Sequence, residues 1–136
     1  MKYEELTGKI IGCAMKVHSF LGNGFPEIIY QRALAIEMEL SGLKFEMEKE
    51  MLIYYRDRLI GKRNADFFVE ELIMVEIKAK SQLENDNINQ TMNYLEAYKT
   101  EIGLLINFGA KSLEFKRIHN NKIIKDSPKD KTISPH

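Results

Sequence analysis

The feature that most constrains the fold is the stretch RNADFFVEELIMVEIKAK, from Arg63 to Lys80, which contains two apolar runs separated by a short acidic break. The first run carries Asp66, and the second carries Glu76 and Lys78. Residues two apart on a strand point to the same face, so Glu76 and Lys78 share one. Charged groups inside apolar runs are costly unless they are paired or bind a metal. A hairpin that brings Asp66 beside the other two therefore predicts a site.

The loop between the two runs decides whether the carboxylates share a face. A loop with an odd number of residues, centred near Glu71, puts Asp66 directly across from Glu76. A two-residue loop at Glu70 and Glu71 would pair Asp66 with Val75 and put Glu76 on the opposite face. The sequence has no Asn-Gly or Asp-Gly pair here, which would indicate a two-residue turn. We therefore expect the odd loop.

Hydrophobic periodicity predicts three helices and five strands. Three strands in a row predict an antiparallel meander, and the helix before the fourth strand allows a parallel crossover. The fold class is thus α/β (α+β), with a central mixed sheet of about five strands flanked by helices. On the second helix we expect a buried stripe of Ile29, Ala33, Ile36 and Leu40. The predicted helices span about 5–21, 26–40 and 83–100, and the predicted strands span 44–55, 59–69, 73–79, 102–108 and 113–118.

Length and composition predict a single domain over residues 1–120, followed by a polar and flexible tail over 121–136. No apolar run approaches the roughly 20 residues of a membrane helix, and the N-terminus lacks the apolar core of a secretion signal. Cys13 is the only cysteine, so no intrachain disulfide can form. These features predict a cytoplasmic protein with no membrane partner.

The charge balance argues against binding nucleic acid by bulk charge. The chain has 20 basic and 20 acidic residues, and its formal net charge is zero, whereas phosphate binding relies on lysine and arginine. A local basic cluster could still supply positive potential at one cleft. Its members are Lys62, Arg63, Lys78 and Lys80.

The Glu-x-Lys pattern alone is weak evidence, because it occurs twice, at Glu76/Lys78 and at Glu114/Lys116. The second pair also lies on a predicted strand, where it reads as a solvated face. Glu76 and Lys78 differ because apolar residues surround them. An ion pair between these two side chains on an exposed face of the sheet is the competing interpretation.

Two pairs on the helices could line the same cleft. Glu27 and Tyr30 are three residues apart on the second helix, and Gln90 and Tyr94 are four apart on the third, so the members of each pair share a helix face. Together they offer a carboxylate, an amide and two phenols.

These residues match a known pattern. Asp66 followed by Glu76-Ile77-Lys78 resembles the D…(D/E)xK signature of the PD-(D/E)XK nuclease superfamily, with Ala65 where proline is common. Gln90 to Tyr94 resembles the QxxxY motif of its exonuclease-like branch. Gly24 to Tyr30 resembles the motif of the GxxExxY protein family. The resemblance covers about residues 4–118 and implies a restriction-endonuclease-like core.

The resemblance also implies roles. Asp66, Glu76 and the backbone carbonyl of Ile77 would bind Mg²⁺ or Mn²⁺, and Glu27 would reach the ion directly or through water. Lys78 would orient the attacking water or neutralise developing charge. The implied supporting or substrate-contacting residues are Gln90, Tyr94, Tyr30, Lys62 and Arg63.

Two functions from different classes follow. The first is a metal-dependent nuclease that hydrolyses phosphodiester bonds in DNA, and RNA is the alternative substrate. The second is a catalytically inactive nucleic-acid-binding or assembly module that keeps the nuclease fold. The three intact residues Asp66, Glu76 and Lys78 favour the nuclease, and the neutral charge favours the module. A homodimer that shares a cleft is compatible with either.

Overall fold

The structure is a computed structural model, and it describes residues 3–122. From residue 123 onward, the predicted tail lies outside these residues. Three helices and five strands form in the predicted order. The helices are α1 (Glu4–Leu21), α2 (Glu27–Leu40) and α3 (Asn85–Tyr98), and the strands are β1 (Phe45–Tyr55), β2 (Arg58–Val69), β3 (Ile73–Lys78), β4 (Ile102–Asn107) and β5 (Glu114–His119).

The five strands form one mixed sheet in the order β1-β2-β3-β4-β5. β1, β2 and β3 are an antiparallel meander, β3 and β4 are parallel, and β5 returns antiparallel to β4. A parallel pair needs a long crossover connection, and α3 supplies it between β3 and β4. The predicted mixed α+β sheet is therefore confirmed.

The loop between β2 and β3 has the predicted odd length. Phe67 pairs with Val75 and Val69 pairs with Ile73, which leaves three residues, 70–72, in the connection. Glu70 and Glu71 both have positive φ, 54° and 56°, so they supply the left-handed conformation that a tight reversal needs. The last pair toward the N-terminus of β2 is Phe67–Val75, and Asp66 and Glu76 are the next residues on the two strands.

Helices cover both faces of the sheet. Residues of α1 and α2 pack with Phe67, Val75 and other side chains on one face, and residues of α3 pack with Met74 and Leu105 on the other. β4 is buried along its whole length, as its continuous apolar run predicts. Within residues 3–122, no helix is long and apolar enough to cross a membrane.

The predicted buried stripe of α2 is wrong. Ile36 and Leu40 are 60% and 77% exposed. The buried positions are instead Tyr30, Gln31, Leu34 and Met38. The helix is rotated relative to the prediction because a tyrosine and a glutamine find hydrogen-bond partners inside, so polar side chains occupy positions that a hydrophobicity pattern assigns to solvent.

β1 and β2 continue well past the rest of the sheet. The residue pairs that join β2 to β3 end at Phe67, whereas β2 begins at Arg58. We call residues 50–63 the β1–β2 arm. Tyr54 and Tyr55, near its tip, are 56% and 61% exposed. The alternation of β1 predicts a half-buried strand with Phe45, Met47, Met51, Ile53 and Tyr55 on its buried face, which is wrong for Met47 and Tyr55, because both side chains are exposed.

Candidate metal centre

The pairing between β1 and β2 is interrupted at Asp66. The register passes from Met47–Phe67 to Lys49–Ala65, and Glu48, which lies across from Asp66, has a positive φ of 53°. On one side of this break Ala65 packs in the α3 cluster, and on the other side Phe67 packs in the α1–α2 cluster. Because residues two apart on a regular strand share a face, the alternation of side chains along β2 is broken at Asp66. Asp66 also directly precedes Phe67, where the pairing of β2 with β3 ends.

The carboxylate of Asp66 is held by two donors from different elements. Its Oδ2 accepts a hydrogen bond of 2.7 Å from the backbone N–H of Ile77, and its Oδ1 accepts one of 3.1 Å from Nε2 of Gln31. In an antiparallel sheet the N–H and C=O of one residue face the same neighbour. The Ile77 carbonyl therefore faces the same opening as Asp66.

Gln31 is a site residue that the sequence patterns did not predict. It is 4% exposed, and its amide connects α2 to the carboxylate of Asp66. The one signal in the sequence is its position directly after Tyr30, and Arg32 follows it, so the local pattern does not set it apart from a surface residue. A glutamine there is ordinarily a surface residue, so its role depends on a tertiary contact.

The pKa of Asp66 is raised from 3.8 to about 6. Burial is the main cause, and the hydrogen bond from the Ile77 N–H opposes it. The negative charges of Glu76, Glu27 and Glu48 raise it further. The neighbouring carboxylates disfavour the charged form of Asp66, and a bound cation would favour that form again.

Glu76 is buried and paired with arginine. It is 3% exposed, and Arg63 donates to both of its oxygens, at 2.7 Å to Oε1 and 3.1 Å to Oε2. The Arg63 guanidinium also lies 4.0 Å from the centre of the Tyr94 ring. The partner of Glu76 is therefore not Lys78, and the interpretation as an exposed Glu–Lys pair is wrong. Lys78 is half-buried and lies two residues further along β3.

Tyr30 positions the turn that precedes Glu27. Its side chain is fully buried and stacks on Phe108, with 4.7 Å between ring centres. Its hydroxyl donates to the Gly22 carbonyl and accepts from the Phe25 N–H at 3.2 Å. Glu27 is the first residue of α2 and is exposed. Tyr30 is thus placed to support the site from within the core, rather than to contact a substrate.

The other predicted residues, Lys62, Gln90 and Tyr94, differ in exposure and in the contacts that they make. Lys62 is exposed on the β1–β2 arm and pairs with Glu50 at 3.5 Å. Gln90 is exposed on α3. Tyr94 is half-buried, and its ring contacts Arg63 on one side and stacks 5.8 Å from Tyr98. The structure therefore joins Asp66 to Ile77 and Gln31, joins Glu76 to Arg63 and Tyr94, and leaves Lys62 and Gln90 toward solvent.

The donor set suits a hard divalent cation. Within residues 3–122, no group of three or more His, Cys, Asp or Glu side chains could hold a metal ion. Two carboxylates and one backbone carbonyl are nevertheless oxygen ligands of the type that Mg²⁺ prefers, with water in the remaining positions. Asp66, Glu76 and the Ile77 carbonyl offer donors of this type, and both oxygens of Glu76 are bound by Arg63 in this structure.

Comparisons with known proteins bear on the fold and the family of this chain. The solved structure described as "Crystal structure of SSO0001" is similar in fold, with a TM-score of 0.56 and 17% identity over 98% of this chain and 69% of that one. No curated protein matches. The family model of the PD-(D/E)XK nuclease superfamily matches residues 4–118. The chain therefore belongs to the PD-(D/E)XK nuclease superfamily.

Proposed function

We propose that this protein is a metal-dependent nuclease that hydrolyses phosphodiester bonds in DNA, and RNA is the alternative substrate. The observation that carries the proposal is the hydrogen bond between Asp66 and the backbone of Ile77, the residue next to Glu76. It joins the two strands just beyond their last residue pair, and it supports a site in which Asp66 and Glu76 would lie around one opening. Gly24, Glu27 and Tyr30 support the narrower assignment to the GxxExxY family.

The residues have separable roles in this mechanism. When bound, Mg²⁺ or Mn²⁺ would lower the pKa of a coordinated water and stabilise charge on the phosphate. Asp66, Glu76 and the Ile77 carbonyl would hold the ion, and Glu27 would reach it through water from the start of α2. Lys78 would hold the attacking water or neutralise charge that develops on the phosphate.

Two residues act by positioning the others. Gln31 fixes the orientation of the Asp66 carboxylate through its 3.1 Å hydrogen bond. Tyr30 fixes the backbone from Gly22 to Phe25, and hence the place where α2 begins. A metal ligand must be held closely for the ion to bind in one geometry, so both contacts support a functional site.

The β1–β2 arm supports nucleic acid as the partner. It extends past the site and contains four basic and two acidic residues, in a chain with no net charge. Tyr54 and Tyr55 are exposed on it, and aromatic rings beside cations are typical of surfaces that stack unpaired bases. Lys62, Arg56 and Arg58 are its exposed cations.

One observation favours the second candidate, an inactive binding module. The buried charge of Glu76 is already balanced by Arg63, so the site can be stable without a metal. The same pair would persist in a protein that keeps the fold and has lost catalysis.

The test measures Mn²⁺ binding by calorimetry and by the rise in melting temperature, with cleavage of single-stranded, duplex and branched DNA and RNA. We expect the wild type to bind Mn²⁺ and Asp66→Ala to lose both binding and cleavage. Glu39→Ala is the matched control, because Glu39 is an exposed carboxylate near the end of α2, outside the site and the arm, and this variant should keep both. A wild type that neither binds Mn²⁺ nor cuts any substrate would establish the binding module.

The compartment follows from the single cysteine. Cys13 is 3% exposed, and its Sγ lies 3.3 Å from the hydroxyl of Ser41. We infer that it is a structural thiol and that the protein acts in the reducing cytoplasm.

A further inference from the structure

Arg63 lies in the place where a cation would neutralise Glu76. Its two terminal nitrogens reach both oxygens of that carboxylate, and its guanidinium lies against the Tyr94 ring. This arrangement is bidentate and stacked, so it is more specific than a surface ion pair. It also accounts for the burial of Glu76, because a carboxylate that is 3% exposed needs a counter-charge.

We infer that Arg63 and the divalent metal compete for Glu76, with the arginine serving as the counter-ion of the metal-free protein. This inference rests on the proposed function, because it assumes that a metal binds at Asp66 and Glu76. Arg63 already contacts both carboxylate oxygens, so a metal on Glu76 must share an oxygen with the guanidinium or displace it. A guanidinium held at 2.7 Å from Oε1 would also lie close to a metal on the same carboxylate, so the two positive charges repel.

The arginine has a route out of the site. Its side chain is 27% exposed, and its backbone lies at the base of the β1–β2 arm rather than in the core. Besides Glu76, the guanidinium contacts the Tyr94 ring and interacts with the Tyr98 side chain, and neutral tyrosines hold a cation less strongly than a carboxylate does. A long and flexible side chain in this position can turn toward solvent when Glu76 is taken by a metal.

The exchange gives Arg63 a second role. Once released, the guanidinium stands beside the opening between β2 and β3, where a substrate phosphate would approach the metal. Guanidinium groups bind phosphate oxygens in the same bidentate way as carboxylates. Metal binding would thereby prepare a phosphate contact, and the metal-free protein would present a closed pair instead.

The first experiment compares Mn²⁺ affinity by titration calorimetry in four proteins: wild type, Arg63→Gln, Arg63→Lys and Lys62→Gln. Arg63→Gln should bind Mn²⁺ about tenfold more tightly, since coupling between two sites typically changes affinity by about 5- to 150-fold. Arg63→Lys keeps the charge without the bidentate geometry and should fall between. Lys62→Gln is the matched control, because Lys62 pairs with exposed Glu50 instead, and its affinity should equal that of the wild type.

The outcomes separate the two proposals. If the wild type binds Mn²⁺ and Arg63→Gln binds it equally or more weakly, competition is refuted while the metal site stands. If none of the four proteins binds Mn²⁺, the proposed function fails, and this inference fails with it. Circular dichroism and the melting temperature establish that each variant is folded before its affinity is compared.

A second readout follows the arginine itself. In the wild type, the Arg63 guanidinium protons should give a protected NMR signal without metal, assigned by its absence in Arg63→Lys. Addition of diamagnetic Mg²⁺ should remove that protection and shift the Tyr94 ring signals. A guanidinium signal that stays protected at saturating Mg²⁺ would overturn the exchange, whatever the affinities show.

Discussion

Hydrogen bonds, burial and neighbouring charges all act on Asp66. It accepts hydrogen bonds from β3 and α2, and it lies among three other carboxylates that raise its pKa. In the absence of metal its charged form is unfavourable in the folded protein, where its pKa is about 6, compared with 3.8 for an isolated aspartate. Deprotonation of this side chain therefore opposes folding.

This raised pKa predicts how the stability of the metal-free protein depends on pH. A group whose pKa is higher in the folded state stabilises the fold below its unfolded pKa, and that contribution is lost as the pH rises through the folded value. Between about pH 4 and pH 8, Asp66 should lower the free energy of unfolding by about 2 kcal/mol, since one pKa unit corresponds to about 1.4 kcal/mol. Asp66→Asn should remove this loss.

The measurement is urea denaturation in a chelator at the two pH values. Asp66→Asn should gain stability relative to the wild type at the higher pH. Gln31 can turn its amide oxygen toward the new amide, so the hydrogen bonds survive. Asp57→Asn serves as the control, because a turn with positive φ accepts either residue. Equal pH dependence in the wild type and Asp66→Asn would contradict the raised pKa.

The sequence identified some residues of the site and missed the contacts among them. Asp66, Glu76 and Lys78 were identifiable because charge inside an apolar run is costly and therefore informative. The pairing of Arg63 with Glu76 was not, because Arg63 precedes the residues of β2 that pair with β3, and only a long side chain reaches Glu76 from there. Gln31 was missed because its partner lies on another element.

At the scale of elements, hydrophobic periodicity and loop length predicted the strand register, but they did not predict which side of α2 faces the core. The alternation of β2 and β3 and the odd loop predicted the register correctly. The face of α2 could not be predicted from periodicity, because its inward side is chosen by hydrogen bonds of Tyr30 and Gln31 as well as by hydrophobicity. The interruption of β2 at Asp66 also left no trace in the apolar pattern.

Gly109, just after β4, packs directly against the backbone of Lys80, just after β3. A Cβ at Gly109 would lie 2.4 Å from both the backbone nitrogen and the oxygen of Lys80, so alanine cannot fit without a backbone shift. Asn107, which is fully buried, joins the same two segments by hydrogen bonds of 2.9 Å to the Lys80 N–H and carbonyl. This contact fixes the backbone two residues after Lys78.

Gly109→Ala should therefore destabilise the protein by about 1 to 3 kcal/mol, the typical cost of overpacking. The measurement is the free energy of unfolding in urea. Gly8→Ala is the matched control: Gly8 is exposed on α1, where an added methyl group would point into open space, and alanine there should stabilise by about 0.5 to 1 kcal/mol. Equal stability of the two variants would show that the contact between β3 and β4 is loose enough to admit a methyl group.

At the scale of the whole molecule, the distribution of charge and the protruding arm both bear on nucleic-acid binding. The chain has no net charge, so attraction to nucleic acid must come from local features rather than from the overall field. The largest such feature is the β1–β2 arm. The eight residues of β2 before Asp66 extend for about 25 Å at the usual rise per residue, so the arm can contact several nucleotides beside the site.

The arm should contribute binding energy without contributing stability. In the uncleaving Asp66→Asn background, the double change Tyr54→Ala and Tyr55→Ala should weaken single-stranded DNA binding by about 1 to 3 kcal/mol for each base that stacks. Arg58→Gln should reduce the dependence of affinity on salt by about 0.7 in the logarithmic slope, the value for one lost contact to a single-strand phosphate. Fluorescence anisotropy across a salt series measures both effects.

Phe20→Ala is the control for exposed aromatic surface, because Phe20 lies on α1 and is 89% exposed. It should leave DNA affinity unchanged, and the melting temperatures of all variants should stay close to that of the Asp66→Asn parent. If the arm variants bind DNA as well as the Phe20 control does, the substrate must approach from another side of the sheet. If they lose affinity equally for single-stranded and duplex DNA, phosphate contacts rather than stacked bases account for the arm, because a duplex keeps its bases paired and away from the tyrosine rings.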